Sequence, residues 1–185
     1  MSSSLDDLQQ LLANRSARRG RFMLSSGRES TLYIDARLTT MSPEGLVLIG
    51  HLGLTALQQS GWDVDSVGGL TLGADPVAYA IAYTSAALLH PIRAFTVRKE
   101  AKTHGTGQFI EGPFMPGDRV AIVEDVITTG ASALRAAAAV EASRGVVAGV
   151  FAVVDRSEGG KEALERQGVP VIALTTAASI VERMP

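Results

Sequence analysis

The sequence predicts an α/β protein built on an open, doubly wound, mostly parallel sheet, and two observations carry that expectation. Beyond residue 60, short apolar runs alternate with helix-length stretches, and continuous apolar strands of that kind are buried on both faces by covering helices. The composition agrees: 46% hydrophobic and 19% charged residues over 185 positions suit a single domain, 1–185, whose folding would hide roughly 70% of the unfolded chain's surface.

Along the chain, Ser4 is positioned to cap a first helix whose Leu5, Leu8, Leu11 and Leu12 share one face. Arg15, Arg18, Arg19 and Arg21 follow near its end, where cations suit the helix dipole. Residues 22–24 and 31–34 flank Ser-Ser-Gly-Arg-Glu-Ser, which reads as a hairpin with Gly27 in its turn. Ser42-Pro43 opens a second helix, with Leu46, Ile49, Gly53 and Leu57 at helical spacing, and Ser60-Gly61 closes it. Strands are then expected at 64–69, 92–98, 120–124, 146–154 and 169–174, with helices near 76–88, 130–143 and 160–166. Only the segment 99–116 exceeds ordinary loop length, as lids and linkers do.

Seventeen Lys and Arg against nineteen Asp and Glu leave a net charge of −2 and a pI near 5.9, so there is no global basic field to hold nucleic acid. The chain has no cysteine, which excludes disulfides, thiolate zinc sites, iron–sulfur clusters and Cys nucleophiles. The amino terminus lacks the basic and apolar regions of a signal peptide, and no apolar run approaches the roughly eighteen residues of a membrane span. The expectation is a soluble, cytoplasmic protein without membrane or nucleic-acid partners.

In open parallel sheets, ligands sit beyond the carboxyl ends of the strands, and four strand ends stand out. The sharpest is Val120-Ala-Ile-Val-Glu-Asp-Val-Ile-Thr-Thr-Gly-Ala-Ser132, an apolar strand that delivers two adjacent acids and then a Thr/Gly/Ser turn into a helix. Amides of Val126, Ile127, Thr128, Thr129, Gly130 and Ala131, with the hydroxyls of Thr128, Thr129 and Ser132, form an anion cradle at a helix amino terminus. Glu124 and Asp125 then face something hydroxylated, cationic or metal-bound. Ala131 after Gly130 rules out a Walker A loop, and no G-x-G-x-x-G is present for a dinucleotide. A capped turn with two solvated acids is the structural alternative.

The second stretch, Arg98-Lys99-Glu100-Ala-Lys102-Thr-His104-Gly105-Thr-Gly107, gathers cations at the start of the long loop. It is either a solvated basic loop or a clamp for an anionic leaving group, with glycines that permit closure. The third places Gly68 and Gly69 at a strand end before Asp75-Pro76, read as cap and first helical residue. The fourth, Asp155-Arg156-Ser-Glu-Gly-Gly160, aims a guanidinium suited to a planar carboxylate at the crevice, or else forms a surface pair with Asp155. His51 and His90 match no pattern and read as packing or surface residues, and Trp62 as structural.

The acid-pair stretch resembles the phosphoribosyl-pyrophosphate (PRPP) motif of type I phosphoribosyltransferases, and Arg-Lys-Glu-Ala-Lys-Thr-His-Gly from Arg98 resembles the catalytic loop of the orotate phosphoribosyltransferases. Phe22-Met-Leu-Ser-Ser-Gly-Arg28, Ser30 and Tyr33-Ile34-Asp35 resemble that family's amino-terminal hood, so the resemblance spans nearly the whole chain and implies a hood over 1–40. It implies transfer of phosphoribose from PRPP to orotate, giving orotidine 5′-monophosphate and pyrophosphate in pyrimidine biosynthesis. Mg²⁺ would be held mainly by substrate oxygens and water rather than directly by protein.

By the same resemblance Glu124 and Asp125 hold the ribose hydroxyls, and Val126 to Ser132 hold the 5′-phosphate. Gly68 and Gly69 belong to the pyrophosphate loop; Arg98, Lys99, Lys102 and His104 serve the leaving group; Thr128 and Arg156 meet orotate. A homodimer is implied, with Arg98, Lys102 and His104 reaching into the neighbour's site and Lys99 and Asp125 serving their own. The chain departs at Ser25, where many members have Lys in Leu-Lys-Ser-Gly, so that contact is missing or supplied otherwise. Another base as acceptor, or a non-catalytic PRPP sensor on the same fold, are the alternatives. The full basic loop, the acidic pI and the lack of an appended DNA-binding segment weigh against the sensor.

Overall fold

A computed structural model describes residues 4–23, 29–100 and 109–185. In chain order it holds α1 (Ser4–Arg15), β1 (Ala17–Met23), β2 (Glu29–Ile34), α2 (Arg37–Thr40), α3 (Pro43–Ser60), β3 (Ser66–Leu70), α4 (Ala74–Ser85) and β4 (Arg93–Val97). There follow β5 (Ile110–Glu111), β6 (Arg119–Ile127), α5 (Ala131–Ala142), β7 (Val146–Asp155), α6 (Gly160–Glu165), β8 (Val171–Thr176) and α7 (Ala177–Val181).

Six strands make the central sheet in the order β5-β4-β3-β6-β7-β8, parallel throughout except for the antiparallel edge pair β4–β5. Alternation along the central strands splits the core between the two faces. Ala121, Val123, Phe151 and Val153 meet Leu8 and Leu12 of α1, Ile49 of α3, Val77 and Ile81 of α4 and Ile180 of α7. Val120, Ile122, Val150 and Ala152 meet Ala133, Ala136 and Val140 of α5 and Leu164 of α6. The expected α/β class is therefore the observed one. Gly50 and Gly53 let α3 lie close on its neighbours, since a Cβ at Gly53 would come within 2.8 Å of Ile81 and one at Gly50 within 2.8 Å of the Ala80 carbonyl oxygen. Trp62 packs on Gly149, and Arg119 donates to the Trp62 carbonyl at 3.1 Å.

β1 and β2 form a separate antiparallel hairpin with a bulge between Arg19 and Phe22. It starts earlier than expected: Arg18, Arg19 and Arg21 are strand residues, and of that cluster only Arg15 lies on the helix. Gly27, the expected turn residue, lies outside the described residues. Asp75 is not the cap of α4. Gly73 occupies that position without a side-chain bond, and the Asp75 carboxylate instead receives two threonine hydroxyls. The long loop is interrupted by β5, and Arg98 N donates to the Phe109 carbonyl at 2.8 Å, which ties the start of the loop to the residue before β5.

Candidate active site

A cleft of about 320 Å³ opens at the carboxyl ends of β3 and β6. Of the residues expected at the site, Lys99, Glu124, Asp125, Val126, Thr128, Ser132 and Arg156 line it. Its other walls come from the end of the hairpin, 33–37, and from the turn 70–73 between β3 and α4.

β6 runs three residues further than expected, to Ile127, pairing Val126 with Val154 and Ile127 with Asp155. The turn into α5 is thus shorter than expected, and the Ile127 side chain belongs to the core at 1% exposure. Gly130 adopts a left-handed φ of 78°, and a Cβ there would approach Leu164 at 3.0 Å. Gly130 at the cap position has no side chain to offer, and apart from Ala131 N, which donates to Thr129 Oγ1 at 3.4 Å, amides of the first turn of α5 keep donors to offer an anion.

The two acids occupy different environments. Glu124 is buried, its Oε1 has no hydrogen-bond partner among the described residues, and desolvation, reinforced by the neighbouring Asp125 charge, pushes its pKa up to about 8. Burial therefore favours its protonated form. Asp125 is also raised by burial, opposed by bonds to backbone amides, including Val126 N at 2.9 Å, and by the charge of Arg37.

Arg37 and Asp35 were not singled out together in the sequence, yet they form a fork within the cleft wall, with Nε to Oδ1 at 2.8 Å and Nη2 to Oδ2 at 2.9 Å. That bond holds the Asp35 carboxyl below the usual range, and it raises Arg37. The two residues stand two apart in sequence, and only the short α2 that starts at Arg37 turns them to the same side.

Arg156 does not pair with Asp155. Its Nε donates to Glu158 at 2.7 Å and its Nη2 to the Leu32 carbonyl at 3.2 Å, while Asp155 accepts from Ser157 N at 2.8 Å. Arg156 thereby ties the end of β7 to the hairpin. Lys99 reaches the cleft while its carbonyl accepts from Arg135 of α5 at 2.9 Å. Arg98 instead pairs with Glu111 of β5 at 3.5 Å.

Gly68 and Gly69 lie inside β3, pressed on the Phe95 and Val123 carbonyls, and Leu70, Thr71, Leu72 and Gly73 form the cleft wall in their stead. Thr129, Gly130 and Ala131 sit at the start of α5 outside the cleft lining. Lys102, His104 and Ser25 lie outside the described residues.

Among the described residues no three His, Cys, Asp or Glu side chains are gathered as for a metal ion, and no helix is long and apolar enough to cross a membrane. No protein-family model matches the chain. The orotate phosphoribosyltransferase of Aquifex aeolicus is 50% identical over 153 residues, 83% of this chain and 82% of that protein. That of Mycobacterium avium is 49% identical over 166 residues, 90% of each. The crystal structure of Mycobacterium tuberculosis H37Rv orotate phosphoribosyltransferase with PRPP superposes with a TM-score of 0.78 at 42% identity, covering 96% of this chain and 99% of that one. Adenine phosphoribosyltransferase from Leishmania donovani shares the fold, with a TM-score of 0.65 at 21% identity. With about half of the aligned residues identical over most of both chains, this chain belongs to the orotate phosphoribosyltransferase family.

Proposed function

We propose that this chain transfers the 5-phosphoribosyl group from PRPP to orotate, giving orotidine 5′-monophosphate and pyrophosphate in pyrimidine biosynthesis. The observation that carries the reading is one cleft that joins the acid pair, buried Glu124 and half-buried Asp125, to Thr128 and Ser132 at the entry to α5. A ring nitrogen of orotate gives its electron pair to the anomeric carbon, the bond from that carbon to the pyrophosphate oxygen breaks with its pair leaving on pyrophosphate, and the nitrogen's proton is released. The transition state has oxocarbenium character, as in glycosyl transfer generally.

In this reading Asp125 accepts from the ribose hydroxyls and sets negative charge near the anomeric carbon. Glu124, whose protonated form burial favours, can in that form both donate to a hydroxyl and accept from one. The segment from Val126 to Ser132 takes the 5′-phosphate, with the amides of α5 and the hydroxyls of Thr128, Thr129 and Ser132 as donors. Lys99 faces pyrophosphate within its own chain, beside the turn that follows Gly68 and Gly69. Thr128 and Arg156 meet orotate, whose carboxylate suits the guanidinium fork.

The donor set fits Mg²⁺, since Glu124 and Asp125 offer hard oxygen atoms and one buried Glu124 oxygen has no partner among the described residues. Those acids would reach the ion through ribose hydroxyls and its water shell, and the bound ion would neutralise charge on the departing pyrophosphate.

A homodimer in which Arg98, Lys102 and His104 complete the neighbour's site is part of the same reading. Its support is the apolar face of α3 and α4, where Val47, Tyr79 and Tyr83 stand exposed around a groove of about 420 Å³. The proposed setting is the cytoplasm, with no nucleic acid or membrane as partner. Mixing the protein with orotate, PRPP and Mg²⁺ should consume orotate absorbance and release pyrophosphate; no orotate loss, or equal turnover of another base, overturns the reading.

A further inference from the structure

Asp75 lies in the first turn of α4 and is buried at 9% exposure. Both its oxygens are engaged: Thr71 Oγ1 donates to Oδ2 at 2.7 Å and Thr96 Oγ1 donates to Oδ1 at 2.9 Å. With the Thr96 proton given to Asp75, the Tyr79 hydroxyl donates to Thr96 at 2.9 Å. A main-chain bond from Thr71 N to the Val97 carbonyl, 2.9 Å, closes the same ring. Among the described residues no cation pairs with Asp75, so the two hydroxyls satisfy it.

A first-turn acid suits the helix dipole, which accounts for a negative charge there. It does not account for threonines drawn in from two separate segments. Thr71 belongs to the turn that lines the cleft, and Thr96 stands two residues before Arg98 and three before Lys99. A carboxylate is the group that accepts from both at once, whereas an amide would turn a donor towards one of them.

We propose that Asp75 is a positioning residue for the pyrophosphate end of PRPP, fixing the cleft turn at 71–73 against the end of β4 that delivers Arg98 and Lys99. The proposal rests on the reading that this cleft binds PRPP. It predicts a loss confined to one substrate, because the orotate side, at Arg156 and the hairpin, shares none of these bonds.

The test compares wild type with Asp75→Asn, Thr96→Val and Thr96→Ser, reading KM for each substrate and the direct affinity for PRPP. Asp75→Asn and Thr96→Val should each weaken PRPP about tenfold and leave orotate within about twofold, Thr96→Ser should restore PRPP binding, and the double variant should add little, as coupled residues do. PRPP affinity unchanged in Thr96→Val, or equal losses on both substrates, overturns the proposal, and Thr96→Val with its serine rescue decides it if Asp75→Asn does not fold. Wild type that binds PRPP but consumes no orotate sinks the functional reading alone, and the binding comparison still judges Asp75. Wild type that binds no PRPP overturns both.

Discussion

Gly73 lies so close to Asp125 that a Cβ at position 73 would stand 2.5 Å from Oδ1 and 2.8 Å from Oδ2. The start of α4 therefore closes on the acid at the end of β6, and any side chain at 73 displaces it. Gly73 has φ −64° and ψ −40°, which alanine adopts freely. Gly73→Ala should hold its melting temperature within a few degrees, yet lower kcat/KM for PRPP by about tenfold or more, because misplacing a catalytic group by an ångström is costly. Wild-type kinetics in this variant would show that Asp125 tolerates the shift.

Glu124 links stability to pH. In the unfolded chain it titrates at its ordinary value of 4.5, whereas burial in the fold pushes it up to about 8. Between those values the unfolded chain has released a proton that the folded chain keeps, so stability falls as pH rises through the window and levels off above it. The loss is on the order of a few kcal/mol. Glu124→Gln, which has no proton to lose, should match wild type near about pH 5 and melt several degrees higher near about pH 9. Parallel melting curves for the two proteins across that range would place the Glu124 pKa elsewhere.

The parallel strands and the acid pair were legible for a shared physical reason: a buried strand must be continuously apolar, so two acids at its end have few structural excuses. The rest was hidden where local chemistry is ambiguous. Ile110–Glu111 is too short to show a period. β1 carries Arg18, Arg19, Gly20 and Arg21 on an exposed hairpin, where burial imposes no pattern. Adjacency suggested Asp155 as the partner of Arg156, but the chain folds so that Asp155 serves the Ser157 amide and Glu158 takes the guanidinium. The cleft turn follows Gly68 and Gly69 instead of starting at them, and glycines that permit close strand packing look the same in sequence as glycines that admit a ligand.

Arg156→Ala should act twice. Its side chain is 7% exposed and joins Glu158 to the hairpin, so its loss should lower the melting temperature by several degrees. It should also raise KM for orotate about tenfold or more while changing that for PRPP much less, since the lost fork belongs to the base and not to the sugar phosphate. Equal effects on both substrates would take Arg156 out of the base pocket and leave it as the tie between β7 and the hairpin.

The proposed exchange of loops between protomers gives the sharpest quantitative expectation. Lys102→Ala chains keep a sound cradle with a poor loop, and Asp125→Asn chains, in which a neutral amide replaces the carboxylate beside the ribose, have the reverse. Each homodimer alone should be nearly inactive. After subunit exchange at equal amounts, roughly half the dimers are mixed, and if the loop serves the neighbour each mixed dimer holds one intact site and one doubly damaged one. Activity should then recover to roughly a quarter of wild type, on symmetry alone. If Lys102 serves its own chain, every site in the mixture carries a defect and mixing recovers nothing, which would restrict the loop to its own protomer.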